Sequence, residues 1–209
     1  MKKNNIGIYL GSFDPVHTAH INIPLQLKDD YSLEKIIFIP TGTSPVGKTF
    51  KATCSDRVAM LINATKRYSF FDVSEHEINS SGPSFSIDTV QHFKKKFSNS
   101  RIRLLIGEDN FTGFNNWFKY EQILLIANII VLARNDVPKY GSIEALNKYV
   151  EKDIDSFNRA EANKIHFSAK YKIDISSTMV RKNLLENKSI QEYVCNEVYE
   201  YIKKKGLYK

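Results

Sequence analysis

The ten residues Gly11-Ser12-Phe13-Asp14-Pro15-Val16-His17-Thr18-Ala19-His20 follow directly on the apolar run Ile6-Gly7-Ile8-Tyr9-Leu10. An apolar run closed by glycine, a turn built on Asp-Pro and two histidines three apart read as a buried strand feeding a helix, with both imidazoles on one face of its first turn. At such a helix start the unpaired backbone N–H groups and the positive end of the dipole attract an anion, and glycine lets the backbone approach it. Gly11, Ser12, Phe13, His17 and His20 are therefore the first candidates for a phosphate site. Asp14, placed before proline, is read as shaping the turn.

The same alternation continues along the chain. Apolar runs at Ile6–Leu10, Ile36–Ile39, Phe70–Val73, Leu104–Ile106 and Ile129–Leu132 are separated by helical periodicity over His17–Lys28, Ser55–Lys66, Ser84–Phe97 and Lys119–Ala127. This predicts βαβ units in a doubly wound, Rossmann-like α/β fold, a parallel sheet with helices on both faces. Ligands are then expected at the carboxyl ends of the strands, where Gly11, Pro40 and Gly107 fall. The polar stretch Asn135–Lys164 interrupts the pattern and reads as a surface insertion with a helix near Ser142–Val150. Beyond it, Asp174-Ile175-Ser176-Ser177-Thr178 opens a helix that continues through Leu185, and a last helix over Ile190–Lys204 stops at Gly206. The 209 residues thus read as one domain whose helical end begins near residue 174.

A net charge of +7 favours an anionic partner. The runs Lys94-Lys95-Lys96 and Lys203-Lys204-Lys205, however, lie at predicted helix ends, where cations offset the dipole, so no nucleic-acid surface is predicted. Cys54 and Cys195 form no metal-spaced cluster and are read as packing residues, and no metal ligands are predicted. No apolar run is long enough for a membrane span or a signal peptide, so the protein is expected in the cytoplasm.

A second phosphate cradle is legible at Asp174-Ile175-Ser176-Ser177-Thr178-Met179-Val180-Arg181. Serine and threonine cap a helix there, and Arg181, one turn on, adds a forked cation to the backbone donors. The first segment resembles the signature G-[GS]-[ST]-F-D-P-x-H-x-G-H of the nucleotidyltransferase superfamily, with Ala19 in place of a glycine, and the second resembles its I-S-S-T-x-[IV]-R element. Three further segments are similar to bacterial nicotinate-nucleotide adenylyltransferases: Ser81-Gly82-Pro83-Ser84-Phe85-Ser86-Ile87-Asp88-Thr89-Val90, Leu105-Ile106-Gly107-Glu108-Asp109-Asn110, and Trp117 within Asn115–Lys119. The stretch Val198–Tyr208 matches that family's ending. Without the resemblance, Gly82-Pro83 is a turn before a capped helix and a lone tryptophan is packing, although an indole face suits a flat, electron-poor ring.

The resemblance implies transfer of the adenylyl group of ATP to nicotinate mononucleotide, giving deamido-NAD and pyrophosphate. It implies ATP contacts from Gly11, Ser12, Phe13, His17, His20, Gly107, Asp109, Ile175, Ser176, Ser177, Thr178 and Arg181, with His20, His17 and Arg181 catalytic. Mononucleotide contacts would come from Ser12, Phe13, Lys48, Ser84, Thr89, Trp117 and Arg134. Mg²⁺ is expected to arrive on ATP rather than in a protein cage. One segment departs from the family pattern A-G-x-x-P-H-K: here Thr41-Gly42-Thr43-Ser44-Pro45-Val46-Gly47-Lys48 has no histidine before the lysine. Alternatives are the amidated mononucleotide as acceptor, a phosphopantetheine adenylyltransferase, and a non-catalytic nucleotide or nucleic-acid binder. A homo-oligomer is compatible with the sequence. A hydride-transferring dinucleotide enzyme is disfavoured by the missing G-x-G-x-x-G.

Overall fold

A computed structural model describes residues 3–132, 144–168 and 175–209. Among the described residues six strands form one sheet in the order β3-β2-β1-β4-β5-β6: β1 Asn5–Gly11, β2 Leu33–Pro40, β3 Phe71–Val73, β4 Arg101–Gly107, β5 Asn128–Leu132 and β6 Ile165–Ser168. Every pairing is parallel. Buried on both faces, the central strands read as continuous apolar runs, which is why they were visible in the sequence. Ile6, Ile8, Leu10, Leu104 and Ile106 point into one core layer, with α3 (Ser86–Lys96) and α5 (Tyr120–Ile126) over it. Tyr9, Ile36, Phe38 and Leu105 point into the other, beneath α1 (Thr18–Asp30), α2 (Cys54–Thr65), α7 (Ser177–Leu185) and α8 (Asn196–Lys205). A short α4 (Glu108–Phe111) follows β4 directly.

Strand order reverses between β1 and β4, so the connections after them leave to opposite sides and open a crevice beyond Gly11 and Gly107. This doubly wound arrangement is the one the strand and helix alternation predicts. The lysine triplets occupy the last turns of α3 and α8, as expected from dipole compensation.

Two expectations need correction. The stretch assigned to a surface insertion contributes to the core: Leu146 and Phe157 are buried, in a 3₁₀ segment (Glu144–Tyr149) and in α6 (Ile154–Arg159). It leads straight into β6, a strand that the sequence reading missed. The physical anchor is Arg103 on β4, fully buried, which donates to the carbonyls of Ala160 at 3.1 Å and Asn158 at 3.0 Å, its guanidinium 5.2 Å from the Phe157 ring centre. A cation against the last carbonyls of a short helix is a favourable placement, although burial lowers its pKa to about 10. The last helix also starts later than predicted, at Asn196 rather than near Ile190, because Ile190 and Val194 are buried in the preceding turn.

Phe157 meets Tyr31 edge-on at 5.6 Å and lies 5.4 Å from His166, whose Nδ1 is 2.7 Å from the Tyr31 hydroxyl. Phe157→Ala should therefore destabilise the fold by about 3–5 kcal/mol, the usual loss for a buried ring. Urea unfolding checks this, and a loss below about 1 kcal/mol would return the segment to the surface.

Candidate active site

At the end of β1 the backbone turns through a left-handed residue, Phe13 (φ 48°), whose ring is almost fully buried. The ring packs against Tyr9, Phe38 and His20, with the His20 ring 5.0 Å away and edge-on. A Cβ on Gly11 would come within 2.8 Å of that ring. Glycine is thus required here by the folded-back phenylalanine as well as by any close ligand.

His17 is the N-cap of α1 and His20 sits three residues later, their rings stacked at 3.6 Å. The His17 backbone N–H donates to His20 Nδ1 at 3.2 Å. That nitrogen accepts, so neutral His20 carries its proton on Nε2. Across the crevice Ser176 caps α7 by accepting the Met179 N–H at 3.1 Å, leaving the helix start facing the same space. Arg181 reaches back to donate to the Asp14 carbonyl at 2.6 Å and the Thr178 hydroxyl at 3.2 Å, and Ser177 Oγ donates to the Pro15 carbonyl at 2.8 Å. The two predicted phosphate segments, about 160 residues apart in sequence, are joined by direct bonds.

Two cavities open on this junction. One, of about 330 Å³, is lined by Gly11, Ser12, Phe13, His17, His20, Lys48, Gly107, Asp109, Ser176, Ser177, Thr178 and Arg181. Nearly the whole set predicted for ATP therefore shares one cavity. Ile175 does not line it and packs on the adjacent core. The second, of about 440 Å³, is more apolar, with Phe50, Ser84, Phe85, Trp117 and Phe118 on its walls. The cavities share Leu10, Gly11, Ser12, Lys48 and Asn110. Lys48 Nζ donates to Ser12 Oγ at 3.0 Å, which puts its charge at the point where they meet. Of the predicted mononucleotide contacts, Ser12, Lys48, Ser84 and Trp117 line the second cavity, Phe13 lies under the first, and Arg134 is outside the described residues. Thr89 is buried and donates to Glu77 Oε1 at 2.7 Å, so it supports the wall instead of forming it.

Residues invisible to sequence reasoning complete the site. Arg57 is fully buried and donates to the carbonyls of Ser12 at 2.9 Å and Thr41 at 2.7 Å, fixing the ends of β1 and β2 relative to each other. Its position on an amphipathic helix resembles any solvated arginine. Glu77, 4% exposed, lines the second cavity. Burial pushes its carboxyl up to about 7, against the opposing pull of the Thr89 hydroxyl. A Cβ on Gly42 would strike the Glu77 carbonyl, so glycine is obligatory there.

Among the described residues no three His, Cys, Asp or Glu side chains converge on a metal-sized site. No helix of the described residues is long and apolar enough to cross a membrane. Beside the carboxylates of Asp14, already engaged by backbone N–H groups, and Asp109, the phosphate cavity offers imidazoles, a guanidinium, an ammonium, hydroxyls and helix-start N–H groups. This donor set suits anions, and with them a magnesium ion carried on phosphate oxygens.

Residues 8–183 match the cytidylyltransferase-like family. Curated relatives carrying the name "Probable nicotinate-nucleotide adenylyltransferase" include one from Legionella pneumophila (strain Corby), 32% identical over 98% of this chain and 99% of its own. Another, from Caldicellulosiruptor bescii, is 33% identical over 98% of both chains. Among solved structures, the Plasmodium falciparum nicotinic acid mononucleotide adenylyltransferase complexed with NaAD superposes with a TM-score of 0.72 at 21% identity, over 98% of this chain and 97% of that one. At that identity the superposition shows the shared fold. The family match and the full-length relatives place the chain, with its two-histidine loop and its Ser176–Arg181 helix start, among the nicotinate-nucleotide adenylyltransferases of the cytidylyltransferase-like family.

Proposed function

We propose that this protein joins nicotinate mononucleotide to ATP, forming deamido-NAD and releasing pyrophosphate, a step of NAD biosynthesis. The observation that carries this reading is the meeting of two cavities at Gly11-Ser12, one rich in anion donors and one walled by aromatic side chains. An oxygen of the mononucleotide phosphate forms a bond to the α-phosphorus of ATP as the bond from that phosphorus to the bridging oxygen breaks, and pyrophosphate leaves with that electron pair. A phosphate monoester is already largely ionised at neutral pH, with a second pKa of about 6, so no general base is required. Positioning and electrostatics then supply the acceleration.

Roles follow from the chemistry of each group. His20 directs its Nε2–H to the α-phosphate, and its tautomer is set by the His17 N–H. His17 holds the ATP phosphates, and Arg181 with the α7 start receives the departing pyrophosphate. Lys48 neutralises both phosphates at the junction, replacing with one ammonium the His-Lys pair usual in the family. The indole of Trp117 offers its face to the pyridine ring. A magnesium ion arriving on ATP would supply further positive charge to its phosphate oxygens, beside Lys48 and Arg181.

Pyrophosphate release from ATP and Mg²⁺, measured with nicotinate and nicotinamide mononucleotides in parallel, tests the reading. Preference for the acid is expected; preference for the amide would move the specificity, and no release with either would overturn the activity. His20→Ala should cut turnover by about 100-fold or more with the fold intact, as loss of one preorganised donor does. Near-normal turnover would remove His20 from the chemistry. Glu77 supplies a pH dependence. Below about pH 7 its carboxyl is neutral, and above it a negative charge appears in the wall facing an anionic substrate, only weakly offset by the Arg57 charge. The KM for the mononucleotide should therefore rise severalfold from pH 6.5 to 8, and Glu77→Gln should flatten that rise.

A further inference from the structure

The loop between β1 and α1 is held by a residue from the far end of the sequence. α8 ends at Gly206 in the left-handed conformation (φ 61°), with Leu207 N–H donating to the Ile202 carbonyl at 3.1 Å. Beyond this turn the chain reaches the Gly11–His20 loop through Tyr208. Tyr208 itself adopts φ 64°, a conformation unfavourable for a residue with a Cβ. The half-buried side chain delivers its hydroxyl to Asp14 Oδ1 at 2.7 Å. Asp14, buried to within 3% exposure, also accepts the backbone N–H of Ala52 on Oδ1 at 3.1 Å and of Lys51 on Oδ2 at 2.7 Å. One carboxylate thus ties together the Gly11–His20 loop, the segment after Lys48 and the segment after α8. Asp14 lies three residues before His17, and Lys51 three residues after Lys48. Burial and the adjacent carboxylate push the Tyr208 phenol above its ordinary range, so it remains a donor.

We propose that Tyr208 is a positioning residue for adenylyl transfer, its hydroxyl acting through the Asp14 carboxylate to hold the two active-site histidines in register with Lys48. It touches neither nucleotide; the inference rests on the activity proposed above. Asp14, engaged by three donors, serves as the hub of this arrangement. A second tyrosine braces the same region: Tyr201 donates to Asp56 at 2.8 Å, beside the buried Arg57 that holds the Ser12 carbonyl.

Tyr208→Phe removes one hydroxyl and keeps the ring in its packing. Displacement of catalytic groups by a remote change costs one to two orders of magnitude in rate, so kcat should fall about tenfold, with both KM values within about twofold of native. Because Tyr208 acts through the histidine loop, the same change in a His20→Ala background should lower kcat by less than about threefold. Equal losses in the two backgrounds, or an unchanged kcat in the first, would overturn the proposal. Histidine-labelled NMR of the intact protein gives an independent reading: Tyr208→Phe should shift the His17 and His20 ring resonances while leaving His166 in place. Unmoved active-site resonances would overturn the positioning role. Absence of pyrophosphate release in the native chain would instead overturn the activity itself, leaving the NMR result to decide whether Tyr208 sets the histidines.

Discussion

The burial of the Phe13 ring under the end of β1 is the constraint on which the site depends. To place it, the backbone must enter the left-handed region at residue 13 and residue 11 must lack a Cβ. The reversal that follows brings His17 to the start of α1 and His20 onto the Phe13 ring, with the two imidazoles stacked. An aromatic anchor in the core therefore sets the orientation of the polar groups above it. Burial of one such ring contributes on the order of 2–3 kcal/mol, enough to offset one strained backbone residue of about 1–3 kcal/mol.

Around this anchor, charged groups divide between ligand space and scaffold. Cations and N–H donors outnumber the two carboxylates, Asp14 and Asp109, on the phosphate cavity, and the buried carboxyl groups hold the scaffold: Asp14 accepts from backbone N–H groups and Tyr208, and Glu77 accepts from Thr89. Arg57 is likewise spent on two carbonyls rather than exposed to ligand. These buried polar contacts fix the relative positions of the strand ends at the edges of the two cavities. Rigid placement of donors is what a reaction between two polyanions needs, since its barrier is largely the cost of bringing and holding them together.

Much of this was legible in the sequence, for identifiable reasons. The central strands announce themselves because burial on both faces demands unbroken apolar runs, and the phosphate segments because glycine, histidine and hydroxyl residues at helix starts have few other uses in combination. β6 escaped notice because four residues, Ile165-His166-Phe167-Ser168, are too few to establish a pattern. Leu146 and Phe157 lie among short apolar groups broken up by charged and amide residues, so the stretch containing them reads as surface although Arg103 ties it to the sheet. Ile190 and Val194 are spaced like a helical pair but belong to a turn. Glu77 and Arg57 carry no sequence mark, because their roles arise from burial that only the assembled fold imposes. Thr89 was visible as part of a motif, and its place behind the wall was not.

The central claim is that two cavities joined at Gly11-Ser12 hold the two halves of one dinucleotide. The crystal structure of the protein with deamido-NAD bound tests it most directly. The account predicts the pyridine ring on Trp117, the pyrophosphate bridge at Ser12 and Lys48 within reach of His20, and the adenosine half in the cavity bounded by Asp109 and the start of α7. A dinucleotide confined to one cavity, or bound with its phosphate bridge away from the end of β1, would contradict it.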